Sequence, residues 1–173
     1  MQPASLPSTP PPIWQRFVFG RNPRRTLIRA TIMAGACFVV CKFLVLPIRI
    51  EGVSMEPAYR DRSVNCVNRL SYFWRKPQRG DVVAVKTSGV HIMYLKRVVG
   101  LPGETVAIEK GVIVINGKPL AEPYVKQRAS WELAGVKLEP DHYLVIGDNR
   151  GMDQHLHWFA VVPLSKIAGK VLW

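Results

Sequence analysis

The chain has 173 residues and 48% apolar residues, which is enough for one packed domain with an appendage. Its net charge of +12 favours an anionic partner, either a nucleic acid or a membrane. Seven basic residues and no acidic residue precede Glu51, and they flank an apolar segment, so the membrane is favoured. The sequence has no helix-turn-helix, zinc-finger or aromatic RNA-binding pattern, and we expect no nucleic-acid partner.

Residues 1–25 are predicted to form a basic cytoplasmic tail. Residues 1–12 are rich in Pro and Ser and are expected to be disordered. Residues 13–19 are aromatic, which favours the membrane interface, and residues 21–25 carry a collar of arginines. By the positive-inside rule this collar lies in the cytoplasm.

Residues 26–48 are predicted to form a single transmembrane anchor. The stretch 26–46 is long enough to cross a bilayer as a helix, and Arg29 and Lys42 lie near its ends, where long side chains reach the headgroups. The alternative is a cleavable signal peptide, which needs a small-x-small site just after the apolar region. Residues 47–51 supply none, so an uncleaved anchor is favoured.

The remaining part, residues 49–173, is predicted to be one β-rich domain. Short branched runs at 81–85, 91–99, 105–108, 112–115 and 142–146 are separated by Gly, Pro and Asn, as is typical of strands. Asn116-Gly117 is a good two-residue hairpin turn. The three cysteines, Cys37, Cys41 and Cys66, indicate no disulfide framework.

Two motifs carry the chemistry. Residues 52–57, Gly-Val-Ser-Met-Glu-Pro, present the hydroxyl of Ser54 just after the apolar segment. Residues 94–104, Tyr-Leu-Lys-Arg-Val-Val-Gly-Leu-Pro-Gly-Glu, place Lys96 inside a strand-like apolar run. A serine is a poor nucleophile until a base takes its proton, and a desolvated lysine can act as that base near neutral pH.

Together with the Gly-Asp-Asn-Arg run at 147–150, these motifs resemble bacterial type I signal peptidases. The resemblance implies a largely antiparallel β catalytic domain after one transmembrane helix, held on the outer side of the bacterial plasma membrane. It implies Ser54 as nucleophile and oxyanion donor through its N–H, and Lys96 as general base. It implies no metal or organic cofactor, and the signal peptides of exported preproteins as substrates.

Three further residues have roles implied by the resemblance. Arg97 is expected to pair with Asp148, which supports the site without reacting. Met55 is expected either to form a wall of the substrate pocket or to pack in ordinary core.

Lys96 must be neutral to act as a base, whereas the pKa of lysine in water is about 10.4. Tyr94, Lys96 and Val98 share one face of a strand by two-residue alternation. Burial on that face would lower the pKa of Lys96. The alternative is a solvated lysine on an edge strand.

The segment after residue 150 departs from the family pattern. Aligned without gaps, Asp153 replaces the serine that orients the lysine, and His155 and His157 replace an aspartate and an arginine. Near Lys96, a charged Asp153 would raise the lysine pKa. Two other outcomes are a protonated Asp153, or a rebuilt loop in which Asp153 faces solvent. The histidines are expected on the surface, and a metal site here is disfavoured.

Basic residues surround the aromatic run Tyr72-Phe73-Trp74; they are Arg60, Arg62, Arg69, Arg75, Lys76 and Arg79. This pattern favours contact with the bilayer interface, with a plain solvated loop as an equal alternative. Nucleic-acid binding is a less favoured alternative for this segment.

Other functions stay open at this stage. One is a specialised peptidase of the same family that matures pilins or conjugative-transfer proteins. Another is a non-cleaving, chaperone-like homologue, and a third is a self-cleaving repressor with a Ser/Lys pair. The substrate repertoire and the oligomeric state are left open by the sequence.

Overall fold

The computed structural model of the chain describes residues 22–87 and 93–172. It divides between Lys42 and Phe43 into two units. Residues 1–12, residues 13–19 and Arg21 lie outside the described residues, so the expectations for the tail stay predictions. The division of the chain at residues 25 and 48 also stays a prediction.

Helix α1 runs over Pro23–Leu44. Proline suits the first helical position because its missing N–H has no partner to lose there. The helix exposes many large apolar side chains, including Ile32 and Met33, and it is long and apolar enough to cross a bilayer. It ends two residues before the predicted limit at Leu46, because Pro47 disfavours helical geometry in the residue before it.

The second unit contains two antiparallel sheets. Its strands are β1 (Val45–Arg49), β2 (Val64–Asn68), β3 (Val82–Lys86), β4 (Met93–Gly100), β5 (Thr105–Glu109), β6 (Val112–Ile115), β7 (Lys118–Pro119), β8 (Leu133–Lys137), β9 (His142–Ile146), β10 (Ala160–Pro163) and β11 (Ile167–Leu172). The larger sheet has the order β1-β2-β11-β3-β4-β9-β10, and the smaller one has the order β7-β6-β5-β8. The mainly β, antiparallel fold expected from the sequence is confirmed.

The strands predicted at 81–85, 105–108, 112–115 and 142–146 are confirmed as β3, β5, β6 and β9. The predicted strand at 91–99 corresponds to β4, and its first two residues lie outside the described residues. The hairpin is also confirmed: Asn116 and Gly117 have φ of 50° and 78°, and Ile115 pairs with Lys118.

Five strands are not predicted by the sequence patterns: β1, β2, β8, β10 and β11. β2 carries two asparagines, and β8 and β11 each contain a glycine, so none has the composition typical of a strand. β1 continues the apolar run of the helix. These segments are stabilised by pairing with neighbouring strands. Their partners are distant in sequence, so a local sequence pattern does not reveal the pairing.

β4 lies between β3 and β9 in the larger sheet, and that position determines the environment of the site. On one face of this sheet Leu95 packs with Ile50 and Met55, and on the other Val98 packs with Val83. Because both faces are covered by apolar side chains, a polar residue in the middle of β4 is removed from water.

Candidate active site

Lys96 lies in the middle of β4, paired with Val83 of β3. Its side chain is only 1% exposed. Alternation along the strand places it on the same face as Val98, which is fully buried. The interpretation of Lys96 as a solvated edge-strand lysine is therefore wrong.

Ser54 lies in the loop between β1 and β2, and three hydrogen bonds fix this loop. The N–H of Gly52 donates to Oδ1 of Asp61 at 2.8 Å, and Gly52 has a φ of 100°, which favours glycine. On the other side, the N–H of Asn149 donates to the Ser54 carbonyl at 3.0 Å, and its side-chain amide donates to the Val53 carbonyl at 3.1 Å. The Gly-Asp-Asn-Arg turn therefore holds the serine loop in place.

The two predicted residues meet: Nζ of Lys96 donates to Oγ of Ser54 at 2.8 Å. Burial lowers the pKa of Lys96 from 10.5 to about 8, and the carboxylate of Asp148 acts in the opposite direction. At pH 7 about a tenth of the amine is then neutral, compared with less than a thousandth in water. The arrangement can transfer a proton from a hydroxyl to an amine.

Aromatic side chains cover the lysine. The ring of Trp158 is centred 6.0 Å from Nζ of Lys96, and Tyr94 stacks on Trp158 with ring centroids 4.9 Å apart. At that distance a cation–π attraction is weak, so the main effect of Trp158 is to exclude water from the amine.

Arg97 and Asp148 form the ion pair implied by the resemblance, with Nε and Nη2 of Arg97 on the two carboxylate oxygens. The Asp148 side chain is fully buried. Its role in supporting the site stays a prediction.

Asp153 faces solvent, which is one of the outcomes anticipated for a rebuilt loop. Its carboxylate accepts the N–H of His155 at 2.9 Å and caps a single 3-10 turn at Gln154–Leu156. The acidic group that acts on the pKa of Lys96 is Asp148. The expected support of the site by Asp153 is not seen among the contacts of the described residues.

His157 is buried, at 3% exposure, so its expected place on the surface is wrong. Its ring is centred 4.7 Å from that of Trp131, and neither ring nitrogen makes a hydrogen bond within the described residues. A β-carbon added to Gly147 would lie 2.5 Å from Nε2 of His157 and would also overlap the carbonyl oxygen of Ser54. The imidazole therefore lies directly beside the serine loop.

The charge state of His157 follows from this environment. Burial and the positive charge of Lys96 lower its pKa from 6.5 to about 4; the charge of Arg150 acts in the same direction, and the Ser54 carbonyl opposes it. A neutral imidazole thus stands next to the buried lysine. His155 and Asp153 are exposed, so the three side chains do not converge on a metal site, and no other suitable cluster occurs in the described ranges.

A groove with a volume of about 500 Å³ opens beside Ser54 and Met55. One wall is formed by β1 and the residues after it, and the other by Met93, Tyr94 and Leu95 of β4. Both walls have an open backbone edge, because β1 pairs only with β2 and β4 pairs with β9 only from Arg97 onward. Met55 lines this groove and is also buried in the core, and its role as a wall of the substrate pocket stays a prediction.

Three residues that shape this site are not predicted by the sequence patterns. Asn149 lies in a recognised motif, but nothing in the motif indicates that it binds the serine loop. Arg150 is 1% exposed and its Nη2 donates to Oε1 of Glu122 at 2.6 Å, a buried pair that joins the turn to a distant loop. No local pattern marks Glu122 as a partner.

Comparisons with known proteins find a matching family and several similar sequences. The chain matches the family described as "Signal peptidase, peptidase S26" over residues 24–173. It is 33% identical over 152 residues to a Synechocystis protein named "Probable signal peptidase I-2", covering 84% of this chain and 68% of that protein. It is 32% identical over 157 residues to signal peptidase I of Bacillus licheniformis, covering 84% and 82%.

A solved structure is also similar in part. The crystal structure of a signal peptidase I from Enterococcus faecalis is 28% identical in sequence, with a TM-score of 0.45. The match covers 56% of this chain and 97% of that one.

Proposed function

Because this chain belongs to the peptidase S26 family of signal peptidases, we propose that it cleaves signal peptides from preproteins with Ser54 as nucleophile and Lys96 as general base. The observation that carries the proposal is the 2.8 Å contact between Nζ of Lys96 and Oγ of Ser54, with Lys96 only 1% exposed. A neutral amine in that position is a base at physiological pH.

The reaction has two stages. The Lys96 amine takes the proton of Ser54 as Oγ attacks the scissile carbonyl, and the backbone N–H of Ser54 donates to the oxyanion, as in the family. The Lys96 ammonium then gives its proton to the leaving amine as the peptide C–N bond breaks. In the second stage Lys96 takes a proton from water, which attacks the acyl ester, and the proton returns to Oγ of Ser54.

The groove beside Ser54 is suited to an extended peptide. The free edges of β1 and β4 offer backbone N–H and C=O groups to a strand lying between them. Ile50, Met55 and Leu95 line the groove with apolar atoms. Because these side chains also pack in the core, they cannot move aside for a large substrate side chain, so we expect small side chains next to the cut, as in the family.

The membrane topology is a further part of the proposal. Helix α1 spans the bilayer, the arginine collar at residues 21–25 lies in the cytoplasm, and the β-rich unit lies outside. A reporter fused after residue 173 should be active only outside the cytoplasm. A β-rich unit that resists external protease in intact spheroplasts would show the reverse orientation.

Purified full-length protein in detergent, incubated with a preprotein, tests the activity. We expect a single cut, located by sequencing the new N-terminus. Ser54→Ala and Lys96→Ala should each abolish it, and the double variant should lose no more, because the two residues act as one unit. Lys137→Ala, an exposed lysine of β8, is the matched control and should retain full activity. Robust cleavage by Ser54→Ala would rule out this mechanism.

The two relatives described above are named as signal peptidases and give no support to the alternative functions. A dedicated pilin peptidase would cut only its own substrate in the preprotein assay, and a non-cleaving homologue would cut none.

A further inference from the structure

His157 is a buried polar side chain that the proposed reaction does not use. It is 3% exposed, and neither of its ring nitrogens has a hydrogen-bond partner among the residues that the structure describes. Buried polar atoms without a partner are rare in folded proteins, because burial removes their hydrogen bonds to water. Since this ring lies beside the serine loop, its position indicates a role at the nucleophile.

The fold holds the imidazole in place from two directions. Its ring is centred 4.7 Å from the ring of Trp131, whose Nε1 donates to the carbonyl of Met152 at 2.9 Å. The backbone N–H of His157 donates to the carbonyl of Gln154 at 3.2 Å and closes the short turn before it. Because both the ring and the backbone are held, the place of the imidazole is built into the structure.

Nε2 of His157 and the carbonyl oxygen of Ser54 face the same small space. Both atoms lie within 2.5 Å of the point that a β-carbon on Gly147 would occupy, so a side chain at Gly147 would separate them. Burial and the charge of Lys96 lower the pKa of His157, whereas the Ser54 carbonyl opposes this decrease, as a hydrogen-bond acceptor does. The Ser54 carbonyl is therefore the acceptor that the ring can use.

This carbonyl can accept a second donor. It already accepts the N–H of Asn149 at 3.0 Å, and a carbonyl oxygen has two lone pairs. With a pKa of about 4, the ring of His157 is neutral at pH 7 and carries one proton, either on Nδ1 or on Nε2. A proton on Nε2 would satisfy this buried nitrogen and the free lone pair of the carbonyl together.

A donor at this carbonyl would complete the support of the nucleophile. Ser54 lies between two peptide units, and the unit before it carries the N–H that is proposed to bind the oxyanion. Asn149 holds that unit by donating its side-chain amide to the Val53 carbonyl at 3.1 Å. The unit after Ser54 is the one whose carbonyl faces His157. When both units are held, Oγ of Ser54 has a fixed position relative to Nζ of Lys96, which lies 2.8 Å away.

We propose that His157 is a positioning residue for the cleavage reaction, and that its imidazole donates Nε2–H to the carbonyl of Ser54. The bond holds the serine loop in the geometry in which Oγ attacks and the N–H of Ser54 receives the oxyanion. A displacement of about 1 Å in such a geometry can lower the rate about a hundredfold. His157 gives up no proton in the reaction, so Lys96 stays the base. The positioning role rests on the proposed function, whereas the hydrogen bond does not.

Cleavage of a preprotein by full-length variants in detergent tests the positioning role. His157→Phe keeps a ring beside Trp131 and removes the donor, whereas His157→Gln offers an amide N–H in place of Nε2–H. We expect His157→Phe to lower kcat about tenfold or more with KM within about twofold, because the groove is unchanged. His157→Gln should restore kcat to within about threefold of the wild type. His155→Phe, at an exposed position two residues earlier, is the control and should cleave at the wild-type rate.

The possible outcomes separate this role from the proposed function. If the wild type cleaves and His157→Phe has the same kcat, the positioning role is wrong. Equal losses of kcat in His157→Phe and His157→Gln would also contradict it, because the donor would then not be what matters. A wild type that does not cleave would contradict the proposed function instead, and the hydrogen bond would still be tested by the next measurement.

Nuclear magnetic resonance of the imidazole nitrogens tests the hydrogen bond without cleavage. The full-length protein is labelled with ¹⁵N at its four histidines, and the signals of His157 are those that disappear in His157→Phe. At pH 7 we expect a neutral ring with its proton on Nε2, and a resonance of that proton shifted downfield by hydrogen bonding. A proton on Nδ1, a charged ring, or an Nε2–H resonance without the downfield shift would each overturn the proposal.

Discussion

Arg97, the residue after the buried lysine, forms a two-point ion pair with Asp148, with distances of 2.8 Å from Nε and 2.5 Å from Nη2. Arg97 also donates to the carbonyl of Gly80 at 2.8 Å and lies over the ring of Tyr124. Asp148 is at the same time the acidic group that raises the pKa of Lys96. One carboxylate therefore affects both the stability of the unit and the strength of its base.

Asp148→Asn should affect both properties. It leaves the Arg97 guanidinium buried without its counter-charge, and such a loss typically costs about 3–5 kcal/mol of unfolding free energy. In the fraction that still folds, the pKa of Lys96 should fall, because the charge that raises it is gone. Urea unfolding and the pH dependence of cleavage measure the two effects. Asp141→Asn, in the exposed pair with Lys76, is the control and should change neither.

The rate of cleavage should rise with pH through the pKa of Lys96. With that pKa at about 8, kcat/KM should increase nearly tenfold per pH unit below it and level off above it. Lys96→Arg should be inactive throughout, since a guanidinium does not release its proton in this range. A profile that levels off only near pH 10.5 would mean that the lysine is solvated during catalysis.

Lys96→Met should make the protein more stable at neutral pH while removing activity. The folded-state pKa of about 8 lies below the unfolded value of 10.5, so between these values the unfolded chain binds more protons and stability rises with pH. At pH 7 the buried lysine therefore costs up to roughly 3 kcal/mol, which methionine avoids. The gain should shrink as the pH approaches 10.5. Lys137→Met, at an exposed position, should show no such gain.

Stability should fall in mild acid because of His157. Its pKa is about 4 when folded and 6.5 when unfolded, so its contribution is present above pH 6.5 and is lost as the pH falls toward 4. The loss amounts to roughly 3 kcal/mol. His157→Phe should reduce this dependence between pH 6.5 and 4, and His155→Phe should not. Parallel stability curves for wild type and His157→Phe would contradict the buried, neutral imidazole.

Asp153→Ser should leave the pH profile of cleavage unchanged. The family pattern places a serine here beside the lysine, but in this chain the side chain caps an exposed turn. Serine can cap that turn as well, so stability should also change little. A profile displaced toward lower pH would show that Asp153 reaches Lys96 in the working enzyme.

The sequence was sufficient to predict the pair at the centre of the site. A lysine inside an apolar strand is unusual, and alternation along the strand allowed burial and a lowered pKa; a solvated lysine was the alternative until the structure showed Lys96 1% exposed. The Ser54 loop was recognised by its motif, and its attachment to Asn149 was not, because the two are 95 residues apart and only the fold joins them.

His157 shows the opposite case. It was expected on the surface because histidines usually lie there, but it follows the short turn at Gln154–Leu156 and is only 3% exposed. The strands β1, β2 and β11 were missed for a related reason. Their composition does not distinguish them from loops. Each forms a strand because the neighbouring strands have backbone N–H and C=O groups with which it can pair.

The short connection between α1 and Ser54 limits how far the nucleophile can lie from the end of the helix. The helix ends at Leu44 and the nucleophile is ten residues later, after a strand that begins at once. Even a fully extended chain of that length reaches only about 35 Å. With α1 in a bilayer, a scissile bond must come within that height of the membrane surface to be cut. Which exported proteins are cut then depends on the distance of the scissile bond from the membrane as well as on the side chains beside that bond. A suitable sequence that lies farther from the membrane does not reach Ser54.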